Sequence, residues 1–134
     1  MVDGRGIPLS RCLTGANRHD SAVFEAVLDA VPPITRPSGQ RRTRPAKGHA
    51  DKAYDIPRCR TALRARRIKV RIARKGVDRS DRLGRHRWVV ERTLAWLAQF
   101  RRLTIRYERR ADIHEAFLSL GCALICVRFV QQFC

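Results

Sequence analysis

The chain has 134 residues, 44% of them hydrophobic, which suits one domain with its own core and excludes disorder by composition. Its 29 Lys and Arg against 12 Asp and Glu leave a net charge of +17, far beyond what solubility asks for. A polyanion is therefore the first partner to consider, because dense arginine neutralises phosphates and releases their counterions.

A membrane is not expected. No cation-faced amphipathic anchor helix is evident, and the longest uncharged apolar run, Ala116 to Val127, falls short of the ~18 residues a span needs. Met1 to Gly6 carries no apolar signal region, so the expected compartment is the cytoplasm.

In chain order, Asp3-Gly4-Arg5-Gly6 is a turn signal. Ile7 to Thr14 alternates loosely as a strand whose Pro8 suits a strand start or an edge. A turn that opens into a strand reads as the second half of a hairpin, with the partner strand expected before Met1. Gly15 to His19 is a loop, and Asp20 is the candidate N-cap of a helix from Ser21 to Val31, stopped by Pro32-Pro33. Residues 32–48 read as a basic Pro-rich loop. Pro37, Ser38, Gly39 and Pro45 argue against regular structure, while Arg36, Arg41, Arg42, Arg44 and Lys47 supply charge for phosphate contact. A short strand through His49 enters Asp51. Asp55 is then expected to cap a helix from Ile56 to Arg67 that tolerates Pro57 in its first turn. Ile68, Val70 and Ile72 alternate with Lys69 and Arg71, giving a strand with one buried and one basic face. Arg74 to Asp81 is a polar loop.

Residues His86 to Arg102 read as one helix, with no Gly or Pro to break it. At ~100° per residue, Val89, Thr93, Trp96, Phe100 and Leu103 share the buried arc, with Val90 and Leu97 at its edge. Glu91 stands opposite, among Arg87, Ala95, Ala98 and Arg102. On its own such a face is an ordinary solvated Arg–Glu pairing. Asp112 is the candidate cap of a last helix from Ile113 to about Gln131, apolar nearly all round and expected in the core. The five cysteines have no metal-site spacing and read as small buried hydrophobes.

This alternation of short strands and helices is α/β, one domain over 1–134. An acid at a strand end (Asp51) and an acid on a later helix (Glu91) can meet at one edge of such a sheet. Paired carboxylates beside a basic surface suit metal-assisted phosphoryl transfer, with Mg²⁺ held by carboxylates, water and substrate phosphate.

Ala50-Asp51-Lys52-Ala53-Tyr54-Asp55 resembles the Ala-Asp-Lys-Gly-Tyr-Asp box of bacterial insertion-sequence transposases of the DDE class, with Ala53 in place of the usual Gly. His86 to Thr93, with Trp96, Phe100 to Leu103 and Arg106-Tyr107-Glu108, is similar to that family's third catalytic box. Asp3 to Leu9 and His19-Asp20-Ser21 resemble the stretch between its first and second acids. The resemblance covers essentially the whole chain. It implies an incomplete RNase H-like fold, a mixed short-stranded sheet flanked by helices, that cuts and joins DNA at transposon ends with Mg²⁺ or Mn²⁺.

By that resemblance Asp51 is the second catalytic, metal-binding acid and Glu91 the third, and Arg87 matches the arginine of the family's Tyr-Arg-Glu-Lys signature. The signature's tyrosine falls at Gly84 and its lysine at Ala98, which leaves Arg101 and Arg102 as replacement cations. Arg41, Arg42, Arg44, Lys47 and Lys52 complete the expected DNA-binding set. The family's first acid lies on a strand before the region matching Asp3. The expectation is therefore a truncated catalytic domain with two of three acids that binds double-stranded DNA, both transposon ends and target, and is inactive alone. It would be completed by an N-terminal part or another copy of itself. The rival expectation is a small basic nucleic-acid-binding protein without catalysis, in which Asp51 and Glu91 are ordinary surface acids.

Overall fold

The spacing of Ile68, Val70 and Ile72 puts alternate side chains of one short strand on the same face, and the core gathers there. A computed structural model describes residues 1–15, 17–77 and 80–132, with the side chains of 80–87 outside the description. Its elements run α1 (Phe24–Asp29), β1 (Ile34–Thr35), β2 (Arg41–Arg42), β3 (Lys47–Ala50), α2 (Pro57–Ala65), β4 (Lys69–Ile72), α3 (Ser80–Ala98), α4 (Arg101–Thr104) and α5 (Ala111–Gln131). Single 3₁₀ turns cover Asp20–Val23 and Lys52–Tyr54.

The fold is α/β with short strands, as expected, but the strands form two separate two-stranded sheets among the described residues. β3 and β4 are parallel, Lys47 opposite Lys69 and Ala50 opposite Ile72. Leu28 of α1, Cys59 and Leu63 of α2, Ile68 and Ile72 form the core against their inner face. α2 comes close because Gly48 has no side chain: a Cβ there would meet Leu63 Cδ2 at 2.9 Å. Arg58 pairs with Glu25 at 2.6 Å, and Arg66 grips Asp29 with two bonds of 2.7 Å, fastening α2 to α1.

The second region is helical. α3, α4 and α5 pack on one another, with Val89 and Thr93 of α3 and Gly121 and Ile125 of α5 buried. The N-terminal segment touches both regions. Ser10 Oγ donates to the carbonyl of Val27 in α1 at 2.7 Å, Thr93 Oγ1 of α3 donates to the Gly6 carbonyl at 2.7 Å, and Arg11 donates to the Ser119 hydroxyl of α5.

Several expectations are corrected. The strand over Ile7–Thr14 is reduced to one antiparallel bridge between Val2 and Pro8 among the described residues. Asp3 closes that turn, its Oδ1 accepting from Arg5 N and Ile7 N at 2.8 Å each. The helix after Asp20 begins as a 3₁₀ turn, and the cap is His19, whose Nδ1 accepts from Ser21 N at 3.2 Å. The Pro-rich stretch holds the β1–β2 hairpin, with the residues of both strands exposed, and Gly39 at φ +76° in its turn. Asp55 does not cap α2. Its carboxylate accepts instead from Lys75 N and Arg60, tying the two ends of the α2–β4 unit together.

The long helix begins earlier, at Ser80, and stops at Ala98. Phe100 turns extended and α4 starts at Arg101, with Thr104 Oγ1 returning to the Ala98 carbonyl at 2.5 Å. The cause lies in distant packing. Leu97, Phe100 and Leu103 converge on Gly121 of α5, where an added Cβ would meet their side chains at 3.2, 3.4 and 3.0 Å. Asp112 likewise does not cap α5; it pairs with Arg110 at 2.6 Å inside the first turn. Nor is α5 a core helix. Leu120, Leu124, Val127 and Val130 are all exposed. By length and composition α5 meets the requirement for crossing a membrane, contrary to the count of its uncharged run, though a core helix passes the same test. Cys59 is buried as expected and Cys122 and Cys126 are half-buried, but Cys12 is exposed; Cys134 lies outside the described residues.

Candidate functional site

Asp51 is where the sheet ends. β3 delivers it to the end of the strand in an extended conformation, and its Oδ1 accepts from Ala53 N at 2.9 Å, capping the 3₁₀ turn Lys52–Tyr54. The carboxylate is exposed. The two 3₁₀ turns pack together, and the Tyr54 ring sits 5.5 Å from that of Phe24. Burial raises the Tyr54 hydroxyl above its ordinary value, and the charges of Asp20 and then Asp51 push it further in the same direction. Asp20 thus shares Asp51's electrostatic surroundings. Asp20, expected as the cap of the first helix, belongs to the His19-Asp20-Ser21 box and takes the first position of the 3₁₀ turn instead.

Glu91 lies on the exposed side of α3, opposite buried Val89 and Thr93, as the helical projection requires. The next residue anchors the helix to the N-terminal hairpin. The Arg92 guanidinium lies 4.4 Å from the Trp88 ring centroid and 4.8 Å from that of Trp96, and it donates to the Arg5 carbonyl. Its Nε is buried without a hydrogen-bond partner. Gly6, at φ +84°, is packed so closely that a Cβ would lie 2.9 Å from Thr93 Oγ1. The turn Asp3–Gly6 is therefore seated on the helix turn that follows Glu91.

The expected cations divide into groups. Arg41 and Arg42 stand exposed on β2, with Arg42 Nε donating to the Arg44 carbonyl at 3.0 Å and Arg44 Nη1 to that of Arg66 at 3.3 Å. Lys47 is exposed on β3, and Lys52 is half-buried beside Asp51. The side chain of Arg87 lies outside the described residues, although its backbone is in α3. The break at Ala98 puts Arg101 and Arg102 in α4, outside the helix that carries Glu91. Arg101 approaches the Tyr107 hydroxyl at 3.4 Å. Arg102 binds Glu108 at 2.8 Å and lies 5.5 Å from the ring centroids of both Tyr107 and Phe117.

Glu108 is the buried partner of this set, its side chain only 6% exposed, with His114 Nδ1 3.9 Å from its second oxygen. Burial pushes the Glu108 carboxyl up. Its own backbone N–H, Arg102 and His114 outweigh that and hold it below the usual carboxylate range.

Asp51 and Glu91 each offer a carboxylate to a hard cation. Among the described residues, however, no group of three or more His, Cys, Asp and Glu side chains converges. These residues alone do not fit a complete two-ion centre.

Comparison with known proteins agrees with the family resemblance. A family model described as a transposase DDE domain matches residues 1–126. A Burkholderia cepacia protein, provisionally named the transposase for insertion sequence element IS402, is 52% identical over 126 residues. That alignment takes in 94% of this chain but 60% of the relative's length. No solved structure matches the chain.

Proposed function

This chain belongs to the transposase DDE domain family, and from that membership we propose that it serves DNA transposition as part of an RNase H-like catalytic domain. Asp51 and Glu91 are the two acids it contributes to strand cleavage and transfer, with Mg²⁺ or Mn²⁺ as the ion such carboxylates would hold. The observation that carries this is the pairing of family membership with placement. Both acids are exposed, one at the end of β3 and the other on the outer face of α3. The partner is double-stranded DNA, both transposon end and target, in the cytoplasm.

Arg41, Arg42, Arg44, Lys47, Lys52, Arg87 and Arg101 are the cations for its phosphates. Arg102, held by Glu108, contributes chiefly by fixing α4. The metal cage is completed by a further acid, from an N-terminal part joined to this chain or from another copy. On its own, therefore, the chain binds duplex DNA and leaves it uncut.

The test is to incubate the purified chain with a labelled transposon-end duplex and Mg²⁺ or Mn²⁺. Salt-sensitive binding without strand cleavage is expected. Mg²⁺-dependent strand transfer that disappears in Glu91→Ala would overturn the claim of inactivity, and absence of binding would overturn the DNA reading itself.

A further inference from the structure

The parallel pair β3–β4 has two unlike faces. In a parallel ladder, residues opposite one another point to the same side. Gly48, Ala50, Val70 and Ile72 point to the core. Lys47, His49, Lys69 and Arg71 occupy the other face, and all four are exposed. Lys47 stands directly opposite Lys69, and His49 opposite Arg71.

Neighbouring strands are ~4.8 Å apart and alternate residues along a strand ~6.6 Å apart, both inside the ~8 Å screening length at physiological salt. These side chains therefore act as one field rather than as separate charges. A like-charge pair directly across two strands is destabilising in the free protein. Such a face is also unfit for burial beneath a further apolar layer, because each cation would lose its hydration. An anion with regularly spaced charges relieves both costs. α2 does not cover this face: it packs on the opposite, core side through Cys59 and Leu63.

We infer that the outer face of β3–β4, built on Lys47, Lys69 and Arg71, binds the phosphate backbone of duplex DNA and leads it to Asp51. The direction follows from the topology. Both strands run the same way, and the chain leaves β3 straight into the exposed Asp51. The cations position the duplex and carry no sequence preference, since they meet phosphates rather than base edges. This deepens the proposed function and rests on its DNA partner.

The test compares three variants of the full chain for duplex binding across a salt series. Lys47→Gln/Lys69→Gln/Arg71→Gln removes the face. Arg18→Gln/Arg109→Gln/Arg128→Gln removes the same charge from exposed positions elsewhere. Lys47→Arg/Lys69→Arg/Arg71→Lys keeps the charge. Each phosphate contact contributes about 0.9 to the slope of log affinity against log salt, so the first variant should lower that slope by about two to three and weaken binding at least about tenfold. The second variant should lower it by less than about one, and the third should leave it nearly unchanged.

Equal losses in the first two variants overturn this face while leaving DNA binding intact. Failure of the unaltered chain to bind overturns the face together with the proposed function. A measurement without substitution guards against misfolding: bound duplex should slow chemical acetylation of Lys47 and Lys69, read by mass spectrometry. Unchanged acetylation also overturns the inference.

Discussion

Leu63 on α2 and Leu124 on α5 are the same residue on two helices of one molecule, yet one is 1% exposed and the other 41%. α2 is short and amphipathic, and every apolar residue it turns inward finds α1, β3 or β4. α5 is longer and apolar nearly all round, and α3 and α4 cover only one side of it. The difference teaches that apolar periodicity states a demand for burial, and that a neighbour on the right side decides whether the demand is met.

The largest expected effect tests that contrast directly. Leu63→Ala empties part of the small core and should cost about 2–5 kcal/mol in urea unfolding. Leu124→Ala removes the same atoms from an exposed position and should stay within about 0.5 kcal/mol. Similar costs at the two sites would mean that α5 is as well covered as α2, and the contrast would fail.

The joint between the regions should come next. Gly6 has φ +84° and no room for a Cβ against Thr93. Gly6→Ala should therefore cost about 1–3 kcal/mol, through backbone strain and loosened seating of the hairpin on α3. Both tryptophans of the chain, Trp88 and Trp96, flank Arg92 at this joint, so their fluorescence should change before the α2–β3–β4 region unfolds. Unaltered fluorescence and an unaltered midpoint would mean that the hairpin is not what joins the two regions.

The two regions also differ in what their sequences disclosed. The strand of Ile68, Val70 and Ile72, the strand ending at Asp51 and the buried Val89–Thr93 edge of α3 were all legible, because each depends on local alternation or helical periodicity. The stop at Ala98 was not: no Gly or Pro marks it, and its cause is Gly121, far along the chain, which admits Phe100 and Leu103. His19 rather than Asp20 capping the first turn was hidden for a nearer reason, since two adjacent side chains compete for one backbone N–H and local geometry chooses between them. Within the candidate site, the positions of Asp51 and Glu91 followed from motif and period. The joint influence of Asp20 and Asp51 on Tyr54 did not, because it arises from two 3₁₀ turns packing across the fold.

Acid should weaken both regions, each through its own carboxylate. Asp55 is held below the ordinary range first by the Lys75 N–H and then by Arg60, and Glu108 is also held low, despite burial, by its backbone N–H and Arg102. A folded-state value below the unfolded one gives stability that is present above the unfolded value and is lost as pH falls through the folded one. Stability should therefore be flat above about pH 5 and decline below about pH 4. Asp55→Asn should flatten the decline for the α2–β4 unit, and Glu108→Gln should flatten it for the helices. Titration curves unchanged by either substitution would remove these pairs from the account.

The smallest expected effect on stability belongs to the outer side of α5, and it sharpens the comparison most. Leu120, Leu124 and Val127 recur at helical spacing on the exposed side, and Val130 continues the row. A contiguous apolar stripe is a surface that associates. Leu120→Gln/Leu124→Gln should shift unfolding by no more than about 0.5 kcal/mol per site. It should also lower the sedimentation coefficient of the concentrated chain toward that of a monomer. If the double variant unfolds instead, the stripe is internal to the folded unit, and α5 is a core helix after all. If it folds and sediments unchanged, the stripe is a bare surface, and the burial demand of α5 is met within the folded chain.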